Sequence, residues 1–139
     1  MTGGTGVDDL GSVVTHAAQR WPYRIAWTFP GVERLTFTEI EQRTAGYAHA
    51  LRRRGVQTGD RVALMLRNRP EFFLLWLGLA RLGATTVPMN VKYRTADASH
   101  VLVHSDAVLA ITEPDLRSAL TEVATVPSST WNRSARYWG

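Results

Sequence analysis

The segment 68–90, which reads NRPEFFLLWLGLARLGATTVPMN, carries the strongest structural signal in the sequence. It predicts a capped, wholly apolar helix from about Pro70 to Leu82, followed at once by a buried strand over 84–89. A helix that is apolar on every side must be covered on every side. A chain of 139 residues has few other elements that could cover it. The chain is therefore predicted to be a fragment of a larger protein.

The aromatic residues of this helix are expected to be core residues rather than a ligand box, because they stand within a continuous apolar run. They are Phe72, Phe73 and Trp76. Each large side chain left uncovered forfeits roughly 1.5 to 3 kcal/mol, and a whole domain is stable by only about 5 to 15 kcal/mol. A fragment should therefore be marginally stable, expose an apolar patch and tend to self-associate.

The composition, with 45% hydrophobic and 20% charged residues, indicates one ordinary globular domain. The longest apolar run, 72–80, falls short of the roughly 20 residues that cross a bilayer, so no membrane span is expected. Without cysteine, disulfides and thiolate chemistry are excluded. The first residues have neither a basic flank nor an apolar segment, so the predicted location is cytoplasmic.

The net charge of +4 is compatible with nucleic acid, but the cations are scattered and are not interleaved with aromatic residues. The only basic run, 52–54, lies at the end of a predicted helix, where cations complement the helix dipole. No nucleic-acid partner is expected.

The segments before the central helix predict a small antiparallel hairpin between two helices. Asp8 or Asp9 caps the first helix, and Thr38 and Glu41 form a capping box for the second, with Gly55 as its left-handed C-terminal cap. The predicted elements are a first helix ending before Pro22, strands at Ile25–Phe29 and Arg34–Phe37, and a helix at Thr38–Arg54.

Strands and helices alternate along the rest of the chain. The predicted elements are strands at Arg61–Leu66 and Val108–Ile111, a helix at about Ala96–Ser105 capped by Thr95, and a last helix at about Pro114–Val123. Alternation at such short spacings implies parallel βαβ units. The predicted fold class is α/β: an open, mainly parallel, doubly wound sheet with an N-terminal hairpin.

Three regions are expected: a flexible leader at 1–9, a partial α/β domain at 10–126 and an irregular tail at 127–139. The tail shows no strand or helix period, although a further strand would be expected there. It is either a natural terminus or unrelated sequence read after a frame change, and the second is favoured.

Several blocks together resemble the adenylate-forming acyl-CoA synthetase family, also called the AMP-dependent synthetase and ligase family. Their order and spacing match over roughly 10–116. The blocks are Leu35–Ile40, Gly55–Val56 with Gly59–Ala63, Asn68–Phe72, and Leu82–Ala84 leading to Val87–Asn90. The resemblance implies the opening of the large N-terminal domain of such an enzyme.

The resemblance also implies a reaction. Family members attack the α-phosphate of ATP with a carboxylate, possibly that of a fatty acid, and then let coenzyme A displace AMP from the acyl-adenylate. The full-length family thus implies ATP, Mg²⁺, coenzyme A and a carboxylic acid as cofactors and partners. The family's Thr/Ser/Gly-rich loop ending in Pro-Lys, its Tyr-Gly-x-Thr-Glu segment and its C-terminal lysine are not found among these residues.

The chain alone is accordingly expected to be catalytically silent, with no catalytic residue, no metal ligand and no cofactor of its own. The alternative is a non-catalytic α/β binding or interaction module. One candidate cofactor-binding residue remains, Lys92 in the basic stretch 92–94, where some family members place a cation that meets the nucleotide phosphates of coenzyme A. An ordinary solvated loop lysine is the competing interpretation.

His100 and His104 lie four residues apart on a predicted helix, a spacing that could bring two imidazoles to one metal ion. The sequence fixes no third ligand, and the apolar residues 101–103 between them indicate a packed amphipathic helix. No metal site is expected. His16 and His49 are predicted to be surface residues.

Overall fold

The computed structural model describes residues 9–120 and 128–130. Their elements are, in chain order, α1 Leu10–Arg20, β1 Ile25–Phe29, β2 Glu33–Thr36, α2 Phe37–Arg53, β3 Arg61–Met65, α3 Pro70–Leu82, β4 Thr85–Pro88, α4 Thr95–Ser105, β5 Leu109–Thr112, a 3₁₀ helix Pro114–Ala119 and β6 Ser128–Thr130. Strands β1 and β2 form an antiparallel hairpin, and a second sheet has the order β4-β3-β5-β6 with parallel pairing throughout. The predicted α/β class, with an open parallel sheet and an N-terminal hairpin, is confirmed.

The chain divides into two compact units. The helical unit comprises residues up to 55 together with 69–83, and its described elements are α1, β1, β2, α2 and α3. The sheet unit comprises 56–68 and the residues from 84 onward, and it contains β3, β4, α4, β5, the 3₁₀ helix and β6. A single domain over 10–126 stays a prediction.

The start of α2 differs from the prediction. Thr36, and not Thr38, caps the helix: the Glu39 N–H donates to Thr36 Oγ1 at 3.2 Å, and the Thr36 N–H donates to Glu39 Oε2 at 2.7 Å. The predicted box of Thr38 and Glu41 is wrong because the Thr-x-x-Glu pattern occurs twice, two residues apart. The Thr38 hydroxyl instead donates to the Pro22 carbonyl at 2.9 Å.

The central helix α3 has the predicted bounds, and Gly83 ends it with a left-handed φ of 71°. Leu75 and Leu79 are fully buried. Phe73 and Trp76, however, are 37% and 41% exposed, so the prediction that they are core residues is wrong. The aromatic rings of the β1–β2 hairpin contact Phe73, but within the helical unit they cover only part of the side of α3 that carries Phe73 and Trp76.

The sheet unit is built around β3, which pairs with β4 on one side and β5 on the other. Residues 62–65 are each at most 1% exposed. Because successive strand residues point to opposite faces, both faces of the sheet are covered at β3. One core cluster contains Ala63, Met65, Met89, Ala98, Leu102, Ala107, Ala110 and Leu120. This cluster joins α4 to the sheet.

The ends of the sheet unit also differ from the prediction. Ser128–Thr130 forms β6, parallel to β5, although the segment was expected to be irregular. Pro114–Ala119 is a 3₁₀ helix rather than the start of an α-helix reaching 123. Residue 95 is the first residue of α4 rather than its cap. The remaining leader at 1–8, the segment 121–127 and the tail at 131–139 lie outside the described residues.

Candidate functional site

The candidate functional site is the edge of the sheet unit at which the parallel strands end. Leu64 of β3 is in register with Pro88 of β4 and with Ile111 of β5, so these three strands run side by side toward the same edge. In open α/β sheets, ligands bind outside the carboxyl ends of the strands. Ligand-binding side chains are therefore expected among the residues that closely follow β3, β4 and β5.

The predicted candidate Lys92 lies in the turn between β4 and α4. The turn is closed by Asn90, whose side-chain oxygen accepts from the Lys92 N–H at 2.9 Å and whose carbonyl accepts from the Tyr93 N–H at 3.0 Å. Lys92 is exposed and is the only lysine in the 139 residues. Within the described part of the chain its ammonium makes no ion pair.

The neighbours of Lys92 hold the turn in place. Tyr93 is half-buried and packs against the core cluster of the sheet unit. The Arg94 N–H donates to the Asp97 carboxylate at 3.3 Å, which fixes the start of α4. The basic stretch therefore combines one anchoring aromatic ring with exposed cations on either side.

A second charged cluster follows β3 and β5 at the same edge. The Glu113 carboxylate accepts from the Arg67 backbone N–H and from Arg67 Nη1, both at 2.7 Å. Arg67 Nη2 also donates to Asp115 Oδ2 at 2.6 Å. Hydrogen bonds from Arg67 lower the pKa of Asp115. The pKa of Arg67 is raised, chiefly by its hydrogen bonds to Asp115 and then by those to Glu113.

This cluster was missed by sequence reasoning. Arg67 and Glu113 are 46 positions apart, and only the pairing of β3 with β5 makes them neighbours. The available signal was that Arg67 and Glu113 each come within two residues of the end of a predicted buried strand. With both carboxylates bound to it, Arg67 acts as a clamp between two strand ends, so its charge is already compensated.

The described histidines do not combine with the charged residues at this edge of the sheet to form a metal site of three or more ligands. Within 9–120 and 128–130, no group of three or more His, Asp or Glu side chains is placed to hold a metal ion. His16 and His49 are exposed, as predicted. Nor does any helix in the described part of the chain have the length and apolar character that crossing a bilayer requires.

Comparison with known proteins identifies the family. The family model for AMP-binding enzymes matches residues 14–135, which is most of the chain. The chain belongs to the AMP-binding enzyme family. The resemblance found in the sequence is thereby confirmed.

Among curated proteins, the chain is similar to crotonobetaine/carnitine–CoA ligase from Escherichia coli O1:K1 / APEC. The two are 39% identical over 84 residues, which cover 58% of this chain and 16% of the relative. The chain thus spans about a sixth of the length of that relative.

Solved structures give the same result. The N-terminal domain of FACL13 from Mycobacterium tuberculosis superposes with a TM-score of 0.82 at 25% identity, covering 91% of this chain and 34% of that one. A fatty acyl CoA synthetase from Mycobacterium tuberculosis gives a TM-score of 0.80 at 26% identity, covering 86% and 26%. The fold therefore matches the N-terminal domain of adenylate-forming enzymes.

Proposed function

We propose that these residues form the scaffold at the start of an ATP-dependent acid–CoA ligase. The reaction of the whole enzyme is the activation of a carboxylic acid, possibly a fatty acid, to an acyl-adenylate and then to a coenzyme A thioester. Membership in the family supports this proposal, as do relatives named as a CoA ligase and a fatty acyl CoA synthetase. In that enzyme ATP, Mg²⁺ and coenzyme A are the expected cofactors.

We further propose that the 139 residues alone do not adenylate an acid. The observation that carries this is the charged edge: Arg67 is already engaged by Glu113 and Asp115, so it is not free to neutralise a triphosphate. Stabilising the charge that develops in phosphoryl chemistry needs preorganised donors and cations. The family's phosphate-binding segments, which supply them, have no match among these 139 residues.

The test is carboxylate-dependent exchange between ATP and pyrophosphate, measured on the purified chain with a panel of fatty and short acids. A full-length ligase of the family serves as the positive control under the same conditions. We expect exchange at the buffer background. Exchange that depends on the acid and saturates with ATP would contradict the proposed inactivity. If the positive control does not react with any acid of the panel, the panel is replaced before the chain is assayed again.

For Lys92 we propose a contact with a phosphate group of coenzyme A. The support is its place after β4, its exposure and the lack of an ion-pair partner among the described residues. A mobile ammonium is a point charge that suits a phosphate. Because an exposed ion pair contributes little by itself, we expect weak binding.

Since Lys92 is the only lysine, its ε-amine can be followed by amine-selective labelling and peptide mapping. Coenzyme A should slow the labelling of Lys92, while the N-terminal amine serves as an internal control. Pantetheine, which lacks the nucleotide phosphates, should not protect it. Equal labelling rates with and without coenzyme A would refute the contact in this chain.

The alternative function, an interaction module, is favoured by one observation in the helical unit. The Phe73 ring packs against the hairpin aromatics Trp27 and Phe29, and both Phe73 and Trp76 are exposed, which leaves an apolar patch uncovered. We propose a second copy of the chain as its occupant. Light scattering after gel filtration should show a dimer that the pair Phe73→Ser and Trp76→Ser converts to monomer, and a monomeric wild-type chain would exclude self-association through this patch.

A further inference from the structure

The exposed face of α4 carries a pair of imidazole rings. His100 and His104 lie one helical turn apart, and both are exposed. Their ring centroids are 4.0 Å apart and their planes are tilted by 32°. The apolar packing expected for this helix is made by other residues, Ala98 and Leu102, which belong to the core cluster. The two rings are therefore not part of the core.

A hydrogen bond fixes the tautomer of one ring. His104 Nδ1 lies 2.9 Å from the carbonyl oxygen of His100. A carbonyl can only accept, so Nδ1 carries the hydrogen, and the neutral ring presents its lone pair at Nε2. Histidines that bind metal ions use the same arrangement, in which the nitrogen not bound to metal donates to a carbonyl or carboxylate.

We propose that His100 and His104 form a surface site for a divalent transition-metal ion. Imidazole nitrogen suits copper, nickel and zinc, and two rings on adjacent helical turns can bind one ion together. No third His, Asp or Glu of the described residues completes the set, so water fills the other positions and the ion exchanges. The site lies on α4.

The proposed site predicts an order of metal affinities and an effect of metal binding on stability. Affinity should follow the usual order for nitrogen ligands, with Cu²⁺ bound more tightly than Ni²⁺ or Zn²⁺. The bound ion should also link two turns of α4 and thereby raise the melting temperature, because the site is formed by the folded helix. The chain has no cysteine to compete for the metal.

The experiment is calorimetric titration of the full chain with NiCl₂ and with CuCl₂, using His100→Gln and His104→Gln as separate variants. We expect one saturable site in the wild type and a roughly 100-fold weaker affinity in either variant, because each loses the second, intramolecular ligand. Circular dichroism checks that the variants stay folded, which their exposed positions favour.

The matched control uses the other two histidines, His16 and His49, which are exposed on α1 and α2. The double variant His16→Gln and His49→Gln should bind as the wild type does. Electron paramagnetic resonance of the Cu²⁺ complex should show two equatorial imidazole nitrogens, and only one in His104→Gln. Unchanged affinity in either single variant, or loss of binding in the double control, would overturn the proposal.

Discussion

The interactions that stabilise the helical unit internally differ from those that stabilise the sheet unit internally. In the helical unit, helices approach so closely that side-chain size is restricted at their contacts. A Cβ atom added to Gly78 of α3 would lie 3.1 Å from the Tyr47 Cβ and 3.3 Å from the Ala48 backbone nitrogen of α2. The same unit links its three helices through Arg81, which contacts Glu41 at 2.7 Å and Thr15 at 3.2 Å.

In the sheet unit, backbone ladders set the spacing and polar groups join the strand ends. The Thr112 hydroxyl donates to the Met65 carbonyl at 3.1 Å, and Arg67 joins the residues that follow β3 and β5. The helical unit should therefore be sensitive to added side-chain volume, and the sheet unit to the loss of a charged group at its edge.

Truncation of a core side chain should destabilise both units to a similar extent, and by more than the glycine and charge substitutions. Leu79→Ala in α3 and Met65→Ala in β3 each truncate a side chain that is at most 1% exposed. Both should lower the free energy of unfolding by about 2 to 5 kcal/mol, measured by urea denaturation. Val103→Ala, at a position 56% exposed, is the control and should stay within about 0.5 kcal/mol. A milder effect in one unit would show that its core is loosely packed.

Added volume should affect the helical unit according to position. A Cβ at Gly11 of α1 would lie 2.8 Å from the Ala80 backbone oxygen, whereas one at Gly46 of α2 would meet nothing within 4 Å. Gly11→Ala should therefore cost about 1 to 3 kcal/mol of stability through overpacking. Gly46→Ala should stabilise by up to about 1 kcal/mol through helix propensity. Chemical denaturation of both variants measures the contrast, and equal signs would show that α1 can shift freely on α3.

Lost charge should matter more in the sheet unit than in the helical unit. Glu113→Gln replaces one carboxylate oxygen with an NH₂ group, so one of the two Arg67 donors loses its acceptor in a site where the Glu113 side chain is 9% exposed, and the change should cost about 1 to 3 kcal/mol. The matched change Glu41→Gln faces Arg81 where both side chains are 24% exposed, and should cost at most about 1 kcal/mol. Urea midpoints compare the two variants. A larger loss at Glu41 would reverse the comparison.

How much the sequence predicts depends on whether the signal is local. The bounds of α3 follow from its apolar run, with Pro70 at the start and Gly83 at the end, and both are correct. The start of α2 was misplaced because two overlapping capping patterns compete, and a sequence gives no measure of which one forms. Strand β6 was missed because Ser128–Thr130 has no apolar pattern and is recognised only by its backbone pairing with β5.

In the candidate site, too, the sequence predicts the features that depend on local signals and misses those that depend on contacts between distant residues. The turn that carries Lys92 was predictable because alternating strands and helices place it after a parallel strand. The cluster of Arg67, Glu113 and Asp115 was not, since it depends on which strands are neighbours in the sheet. Exposure of Phe73 and Trp76 likewise depends on how much of α3 other elements cover, which hydrophobicity alone does not determine.

Low pH should reduce the stability of both units, by less than the substitutions above. The pKa of Asp115 is held below its ordinary value by hydrogen bonds from Arg67, and the pKa of Glu39 in the helical unit by the backbone and side-chain hydrogen bonds of Thr36. Because each folded pKa is lower than the unfolded one, each carboxylate contributes stability above its unfolded pKa. That contribution is lost as the pH falls through the folded pKa. Both units should therefore weaken in acid, each through one identifiable carboxylate.

Carboxyl-detected NMR titration should place the midpoints of Asp115 and Glu39 below those of the same residues in the urea-unfolded chain. Asp115→Asn should reduce the difference in stability between neutral pH and about pH 3, which lies below the ordinary aspartate pKa. Glu39→Gln should also reduce it, because the glutamine amide can keep the α2 capping box but does not titrate, while Asp106→Asn, at a side chain that is 82% exposed, serves as a control for general effects of removing a carboxylate. A midpoint for Asp115 at or above its unfolded value would mean that Arg67 does not hold it in solution. The clamp between β3 and β5 would then rest on Glu113 alone.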